Sequence, residues 1–268
     1  MQPMEKGEII MEDYPKGFSS FSEGVETSRK KLLTSIEFSP DLTFIIPGGN
    51  IGDHLIWAGT RQLLDGKPFT EVSEDEIEKA NGHTAIIAGC GGWCKAYHSM
   101  PRQLSIIEKN FKKVIIFPSS FDISVPAVKD SLMKTKAMVF ARELISYNQI
   151  KDICEADIAF DTAFFFHYSK YKQQGNGPLY AYRKDREKLK NEINSSVEDN
   201  NDISKTSKNL NQFLKIVAKH NTVHTDRAHV MIAGAMLDKT VYYSPSNYHK
   251  IPGIADFSLH DFPVWKKK

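Results

Sequence analysis

After Pro40 the chain alternates between short apolar runs and longer stretches of helical spacing, and this alternation limits its fold more than any other feature. Continuous runs of β-branched and aromatic residues are typical of strands that are buried on both faces of a parallel sheet. Strands separated by helices predict right-handed strand–helix–strand units. The runs lie at 42–46, 84–88, 114–117, 137–140 and 156–160, with helical spacing at 54–64, 102–111 and 127–135.

A second, smaller group of runs follows the stretch KQQGNGP at 172–178, which is typical of a linker. These runs, at 179–182, 222–224 and 240–243, again alternate with helical patterns. We therefore predict an α/β protein of two Rossmann-like halves, with parallel sheets flanked by helices and a small C-terminal half.

The predicted organisation has three parts and one polar insertion. The segment 184–208 is rich in charged and amide residues, which predicts a solvated helix or a disordered excursion. The parts are an N-terminal extension at 1–40 that packs on the body, an N-terminal half at 41–171 and a C-terminal half at 172–268, which contains the excursion.

The composition excludes several classes of protein. Of 268 residues 41% are hydrophobic and 25% are charged, as in ordinary globular proteins, and the net charge of +2 gives no field that favours nucleic acid. No segment has the roughly 20 apolar residues that span a bilayer. We expect a soluble cytoplasmic protein; peripheral contact with a membrane and the oligomeric state stay open.

Three cysteines indicate free thiols in a reducing compartment. Cys90 and Cys94 form one C-x3-C pair, and no second pair of ligands lies near them in the sequence. Because a structural zinc site needs four ligands, we expect no metal here.

The first candidate site is the turn Pro47-Gly48-Gly49-Asn50-Ile51-Gly52-Asp53, which follows the first run. Functional turns of open parallel sheets lie at the carboxyl ends of the strands. Its glycines allow the backbone to approach a ligand, with amides exposed at a helix N-terminus. Asp53 either caps that helix or accepts a proton from a hydroxyl group.

The next two candidates follow the second and fourth runs. The turn from Gly89 to Trp93 forms either a floor on which a sugar ring stacks or a tight turn around a core Trp. An Arg in Ala141-Arg142-Glu143 either points into the cleft or pairs with a carboxylate. The binding candidates of these regions are Gly91, Gly92, Trp93, His98, Arg102 and Arg142; Arg102 can reach a carboxylate with two nitrogens.

The fourth candidate, Thr225-Asp226-Arg227-Ala228-His229, lies at a strand-to-helix junction. With Thr225 or Asp226 as the N-cap, Arg227 and His229 fall in the first helical turn, where amides and the helix dipole favour a phosphate or carboxylate. A cation there is unfavourable without such an anion, and His229 beside the anion can act as a general acid. The alternative is a surface Arg with a buried His.

In this order the four regions resemble the polysaccharide pyruvyltransferase family. Its members carry a G-N-x-G-D turn, a Gly-rich turn, an A-R-[DE] element and T-D-R-x-H, then an Asn and a Lys. The likeness covers roughly residues 41 to 254, and Asn247 and Lys250 complete it. The sequence departs from the pattern at Cys90, at Pro118-Ser119-Ser120 in place of Pro-Gln-Ser, and in its shorter C-terminal half.

The resemblance implies a GT-B-like fold, phosphoenolpyruvate as the donor substrate and no cofactor. The product would carry pyruvate as a ketal on two hydroxyls of a sugar, in an exopolysaccharide, capsule or cell-wall glycan or a lipid-linked precursor. The acceptor would bind the N-terminal half and the donor the C-terminal half. His229 would be the acid, Asp53 the base, and Arg227 with Arg142 the anion clamp; further substrate-binding residues would be Gly49, Asn50, Ala228, Asn247 and Lys250.

Two other functions stay open at this stage. A helix N-terminus with an Arg can also hold a diphosphate, which favours a GT-B-like glycosyltransferase that uses a nucleotide sugar. The short C-terminal half and the polar excursion also fit a non-catalytic module that binds a sugar or phosphate. A dinucleotide oxidoreductase is disfavoured, because the glycine spacing departs from G-x-G-x-x-G.

Overall fold

The computed structural model describes residues 18–189 and 197–267, where the strands form two parallel sheets. The larger sheet has the order β2-β1-β3-β4-β5-β6, so the chain changes direction at β1. Such a switch point opens a crevice at the carboxyl ends of the strands. The strands are β1 (Leu42–Ile46), β2 (Thr70–Ser73), β3 (Gly82–Ile87), β4 (Phe111–Ser119), β5 (Met138–Ala141) and β6 (Ala156–Ile158).

Helices cover the larger sheet, and the first of them precedes its first strand. Leu32 and Ile36, in and just after this helix, are buried in one core with Phe44 and Phe117 of the sheet. Residues 1–17 of the predicted extension lie outside the described residues. The helices are α1 (Phe21–Ser35), α2 (Asp53–Leu63), α3 (Met100–Asn110), α4 (Pro126–Lys134) and α5 (Leu144–Ile150), with short 3₁₀ turns at Glu74–Glu76, Thr162–Phe165 and Ser169–Tyr171.

The smaller sheet has four strands in the order β10-β9-β8-β7, all parallel. Its strands are β7 (Pro178–Ala181), β8 (Thr222–Thr225), β9 (Thr240–Tyr243) and β10 (Val264–Lys266). Its helices are α6 (Ile203–Thr206), α7 (Leu210–Ala218), α8 (Ala228–Met236) and α9 (Lys250–Ser258). The predicted α/β fold with two Rossmann-like halves, the second one small, is confirmed.

One hydrophobic core crosses from one half to the other. Leu55 of α2 and Phe164 share this core with Phe213 and Met231 of the second half. A Cβ atom on Gly59 would lie 1.9 Å from the carbonyl oxygen of Thr162, so only glycine lets α2 pack this closely on the 3₁₀ turn. This packing brings the segment after β6 against the beginning of α8.

The polar segment 184–208 differs from its prediction. Its described parts, 184–189 and 197–208, contain buried Glu187, Asp202 and Ile203 instead of a solvated helix. Residues 190–196 of the predicted excursion lie outside the described residues. Within 18–189 and 197–267, each helix is too short or too polar to cross a membrane.

Candidate functional site

A cavity of about 450 Å³ lies between the two halves, and turns from both of them line it. These turns follow β1, β3, β5, β7 and β8, so the cavity lies at the carboxyl ends of strands in both sheets. This is the position expected for a ligand site in parallel α/β proteins. The structure brings these predicted site residues to it: Gly49, Asn50, Asp53, Gly91, Gly92, Arg142, Arg227, Ala228, His229 and Lys250.

The turn after β1 is closed by the side chain of Asp53, the first residue of α2. Its Oδ2 atom accepts a hydrogen bond from the Asn50 amide at 2.8 Å, and the Gly52 amide donates to Oδ1 of Asn50 at 2.9 Å. A Cβ atom on Gly49 would lie 2.7 Å from Oδ2 of Asp53, so the turn requires glycine there. One carboxylate oxygen of Asp53 thus stabilises the turn, while the other points towards His229.

His229, Asp53, Asp161 and Arg142 form what we call the His229 cluster. Nδ1 of His229 lies 3.5 Å from Oδ1 of Asp53, and Nε2 lies 3.5 Å from Oδ2 of Asp161. Arg142 donates from Nη1 to Oδ2 of Asp161 at 2.8 Å, and from Nε to the hydroxyl of Ser120 at 2.9 Å. The imidazole therefore lies between two carboxylates that come from different turns.

Asp161 keeps a negative charge in this cluster although it is fully buried. Burial raises its pKa, but the contacts with His229 and the charge of Arg142 outweigh burial and lower the pKa to about 2. Arg142 was predicted to enter the cleft or to pair with a carboxylate; it lines the cavity and pairs with Asp161. Glu143 instead caps α5, where it accepts from the amide of Ser146 at 2.9 Å.

A second group of charges, the Lys250 cluster, forms another wall of the cavity. Lys250 donates to Oε1 of Glu187 at 2.7 Å, and Arg183 contacts the other oxygen of Glu187. Arg227 donates to both carboxylate oxygens of Asp202 at 2.6 Å and lies 2.8 Å from Oδ2 of Asp185. The cluster thus contains three cations and three anions, and the side chain of each is at most 9% exposed. Its members are Arg183, Asp185, Glu187, Asp202, Arg227 and Lys250.

The environment of Arg227 corrects the prediction made for it. Arg227 is the N-cap residue and lies before the first turn of α8, and its charge is offset by Asp185 and Asp202 of its own chain. The argument that a bound anion must offset this charge is therefore wrong. Thr225 accepts a hydrogen bond from the amide of Arg227 at 3.0 Å, while Asp226 accepts from the amide of Arg183 at 2.7 Å.

Burial shifts several pKa values around the Lys250 cluster. It raises the pKa of Glu187, but Lys250 and Arg183 outweigh this effect and lower the pKa to about 2. Burial lowers the pKa of Lys250. Asp226 is buried without a full counter-charge, and desolvation raises its pKa to about 6.

Four predicted site residues lie away from the main cavity. Trp93 is buried against Phe121, with ring centroids 5.4 Å apart, so it is the core Trp of the second interpretation and not a floor for a sugar ring. Arg102 is exposed and lies 3.8 Å from Glu78. The remaining two line a neighbouring cavity: His98 and Asn247.

Several residues of the site were missed in the sequence. Asp161 directly follows the apolar run at 156–160. Because functional residues of parallel α/β sheets lie at the carboxyl ends of strands, its position could have indicated a site residue. Arg183 follows β7 in the same way. Asp185, Glu187 and Asp202 lie in the polar segment, where no periodicity marks a buried residue.

Cys90 lines the cavity, but burial raises the pKa of its thiol to about 12, which disfavours the nucleophilic thiolate. Across the described ranges, no three His, Cys, Asp or Glu residues are grouped so that they could hold a metal ion.

Two comparisons with known proteins, one of structures and one with family profiles, match this chain. The crystal structure of a functionally uncharacterised protein from Klebsiella pneumoniae subsp. pneumoniae NTUH-K2044 has a TM-score of 0.74 and 23% identity, over 91% of this chain and 98% of that one. This likeness shows the fold. A search of curated protein sequences gives no significant match. The profile described as Polysaccharide pyruvyl transferase matches residues 50–243, which span both the turn after β1 and the turn after β8. The chain therefore belongs to the polysaccharide pyruvyl transferase family and is a transferase.

Proposed function

We propose that the protein transfers the pyruvyl group of phosphoenolpyruvate to two hydroxyls of one sugar, forms a ketal and releases phosphate. The acceptor would be a glycan of an exopolysaccharide, capsule or cell wall, or its precursor, and the reaction would take place in the cytoplasm. The observation that carries this proposal is the His229 cluster, which places the imidazole of His229 and the carboxylate of Asp53 at a cavity between the halves, with the buried carboxylate of Asp161 3.5 Å from the imidazole.

The reaction needs one proton on carbon and the loss of two hydroxyl protons. Protonation of the methylene carbon of phosphoenolpyruvate forms the methyl group and leaves C2 electron-poor, and His229 is our candidate for the acid. A sugar hydroxyl attacks C2 and gives up its proton, for which Asp53 is the candidate base. The C2–O bond to phosphate then breaks, the second hydroxyl attacks C2, and its proton leaves with the phosphate. The proton held by Asp53 returns to Nδ1 of His229, 3.5 Å away, and restores both groups for the next turnover.

The donor carries a carboxylate and a phosphate, so its binding depends on the cations of the cavity. Ala228 and His229 begin α8, where backbone amides and the helix dipole favour an anion. Arg142, Arg227 and Lys250 are the candidate cationic contacts. Because Arg227 and Lys250 already pair with carboxylates, the donor has to share or replace these partners.

The test is acceptor-dependent release of phosphate. The purified protein would be incubated with phosphoenolpyruvate and a panel of galactoside and mannosaminide acceptors, followed by mass spectrometry of the sugars. We expect phosphate and a sugar heavier by one pyruvyl ketal. Folded protein that makes no such product with any acceptor, but transfers sugar from a nucleotide sugar, would contradict the proposal.

A further inference from the structure

Asp161 lies behind the imidazole of His229, on the side away from the open cavity. It follows β6, and its Oδ1 atom accepts a hydrogen bond from the amide of Ala163 at 2.9 Å. Its Oδ2 atom accepts from Arg142 at 2.8 Å. Hydrogen bonds from Ala163 and Arg142 therefore fix the carboxylate in place. Its Oδ2 atom lies 3.5 Å from Nε2 of His229 and can accept a further hydrogen bond from that side.

The two nitrogens of the His229 ring have different surroundings. Nε2 is buried and makes no hydrogen bond to any described residue, and Oδ2 of the fully buried Asp161 lies 3.5 Å from it. Nδ1 lies 3.5 Å from Asp53, whose side chain is 15% exposed and lines the cavity. A buried N–H group needs an acceptor, and only the Nε2 side offers a carboxylate that is shielded from solvent.

We propose that Asp161 is a positioning residue that keeps a hydrogen on Nε2 of His229, so that Nδ1 exchanges the proton in the cleft. The assignment of the ring nitrogens stands without any assumption about the reaction. Its catalytic consequence rests on the function proposed above. Asp161 itself contacts no reacting atom; it acts through the orientation and the tautomer of the imidazole.

The consequence for turnover follows from the tautomer equilibrium. In Asp161→Asn, an amide that can donate a hydrogen bond to Nε2 replaces a carboxylate that can only accept one, so the preference of the neutral ring for the Nε2–H form weakens. A smaller fraction of molecules then offers Nδ1 for proton exchange. In Asp161→Asn we expect kcat to fall by on the order of 10²-fold. Because Asp161 also accepts a hydrogen bond from Arg142, a candidate contact of the donor, the KM for phosphoenolpyruvate is expected to rise in the same variant. The protonation pattern of the His229 ring, which a purely structural role would leave unchanged, therefore identifies the positioning role.

The test combines nitrogen NMR with kinetics. In the wild-type protein labelled with ¹⁵N-histidine, at a pH where the ring is neutral, the Nε2 resonance of His229 should be that of a protonated nitrogen and the Nδ1 resonance that of an unprotonated one. Asp161→Asn should shift this balance towards Nδ1–H. Asp157→Asn, which removes a carboxylate of β6 that pairs with Lys31 outside the cavity, should leave both resonances unchanged.

The outcomes separate this inference from the proposed function. A wild-type ring protonated on Nδ1 would overturn the inference, even in an active enzyme. The expected resonances without acceptor-dependent phosphate release would leave the positioning role of Asp161 standing and contradict the proposed reaction. Should Asp161→Asn fail to fold, the spectrum of the wild-type protein alone still decides which nitrogen carries the hydrogen.

Discussion

The two charged walls of the cavity differ in how tightly their groups are paired. In the Lys250 cluster, Arg227 and Lys250 donate to carboxylates at 2.6–2.7 Å, and Arg227 binds one carboxylate with two nitrogens. In the His229 cluster, the imidazole lies 3.5 Å from each of its two carboxylates. One wall therefore has the geometry of a rigid, charge-balanced scaffold, and the other retains a group that can gain or lose a proton.

This difference suggests separate tasks for the two walls. The Lys250 cluster fixes the described parts of the polar segment, through Asp185, Glu187 and Asp202, beside the beginnings of α8 and α9. Buried ion pairs of this kind add little net stability, but the loss of one partner is costly. The His229 cluster instead holds an imidazole, the side-chain type that serves most often as an acid or base, between two carboxylates.

The largest effect is expected for His229→Ala. Loss of a general acid typically lowers the rate by about 10²-fold to 10⁴-fold, so we expect turnover to fall by this factor, while the affinity for phosphoenolpyruvate stays largely intact. Stopped assays of phosphate release and calorimetric titration would measure the two quantities. His224→Gln is the matched control, since His224 stacks between Tyr180 and Tyr242 outside the cavity. A fully active His229→Ala would contradict the assignment of proton transfer to the His229 cluster.

The next effect concerns the stability of the Lys250 cluster. Glu187→Gln leaves Lys250 and Arg183 buried without their shared carboxylate, so we expect the free energy of unfolding to fall by about 3–5 kcal/mol. Glu71→Gln is the control, because the pair of Glu71 with Arg61 is largely exposed and should contribute less than about 1 kcal/mol. Urea unfolding would measure both. Equal losses in the two variants would contradict a special role for the buried cluster.

A smaller effect should appear in the pH dependence of stability. Burial raises the pKa of Asp226 to about 6, so its contribution to stability is complete below pH 4, the range of an unfolded Asp, and is lost as the pH rises through 6. Asp226→Asn should therefore gain about 3 kcal/mol relative to the wild type between pH 4 and pH 7. Unfolding titrations at several pH values would measure this gain. The exposed Asp152→Asn serves as the control, and a parallel profile for the two variants would show that Asp226 is not desolvated.

The smallest effect is expected for the thiol between the two walls. With a pKa of about 12, Cys90 is ionised in only about 10⁻⁵ of molecules at pH 7, so it does not supply a nucleophile. Cys90→Ala should change turnover by less than about threefold, as should the control Cys154→Ala. If Cys90→Ala alone matched the loss seen in His229→Ala, the chemistry would not belong to the His229 cluster.

Much of the site could be predicted because it follows the carboxyl ends of strands that are visible in the sequence. The turns that carry Asp53, Arg142 and His229 each follow an apolar run, and the structure brings all three to one cavity. Strands β2 and β10 were not predicted, since Thr70–Ser73 and Val264–Lys266 are short and mostly exposed.

The partners of Arg227 could not be predicted in the same way. Asp202 lies 25 residues before it in the chain, in a segment whose polar composition is typical of solvated structure. Its burial results from the ion pairs, which depend on tertiary contacts and leave no periodic pattern. Asp161, by contrast, directly follows a predicted strand. Its position at the carboxyl end of that strand was sufficient to predict it as a fourth member of the His229 cluster.

The most direct test of the account is the origin of the hydrogen that enters the methyl group of the product. The reaction would be run in ²H₂O with phosphoenolpyruvate and an acceptor that supports phosphate release, and the ketal would be analysed by mass spectrometry and NMR. Protonation of the methylene carbon by an exchangeable group predicts one deuterium in the methyl group, and an initial rate of this product at least about 10²-fold lower in His229→Ala. A ketal without deuterium, or an undiminished yield from His229→Ala, would contradict the role assigned to the His229 cluster.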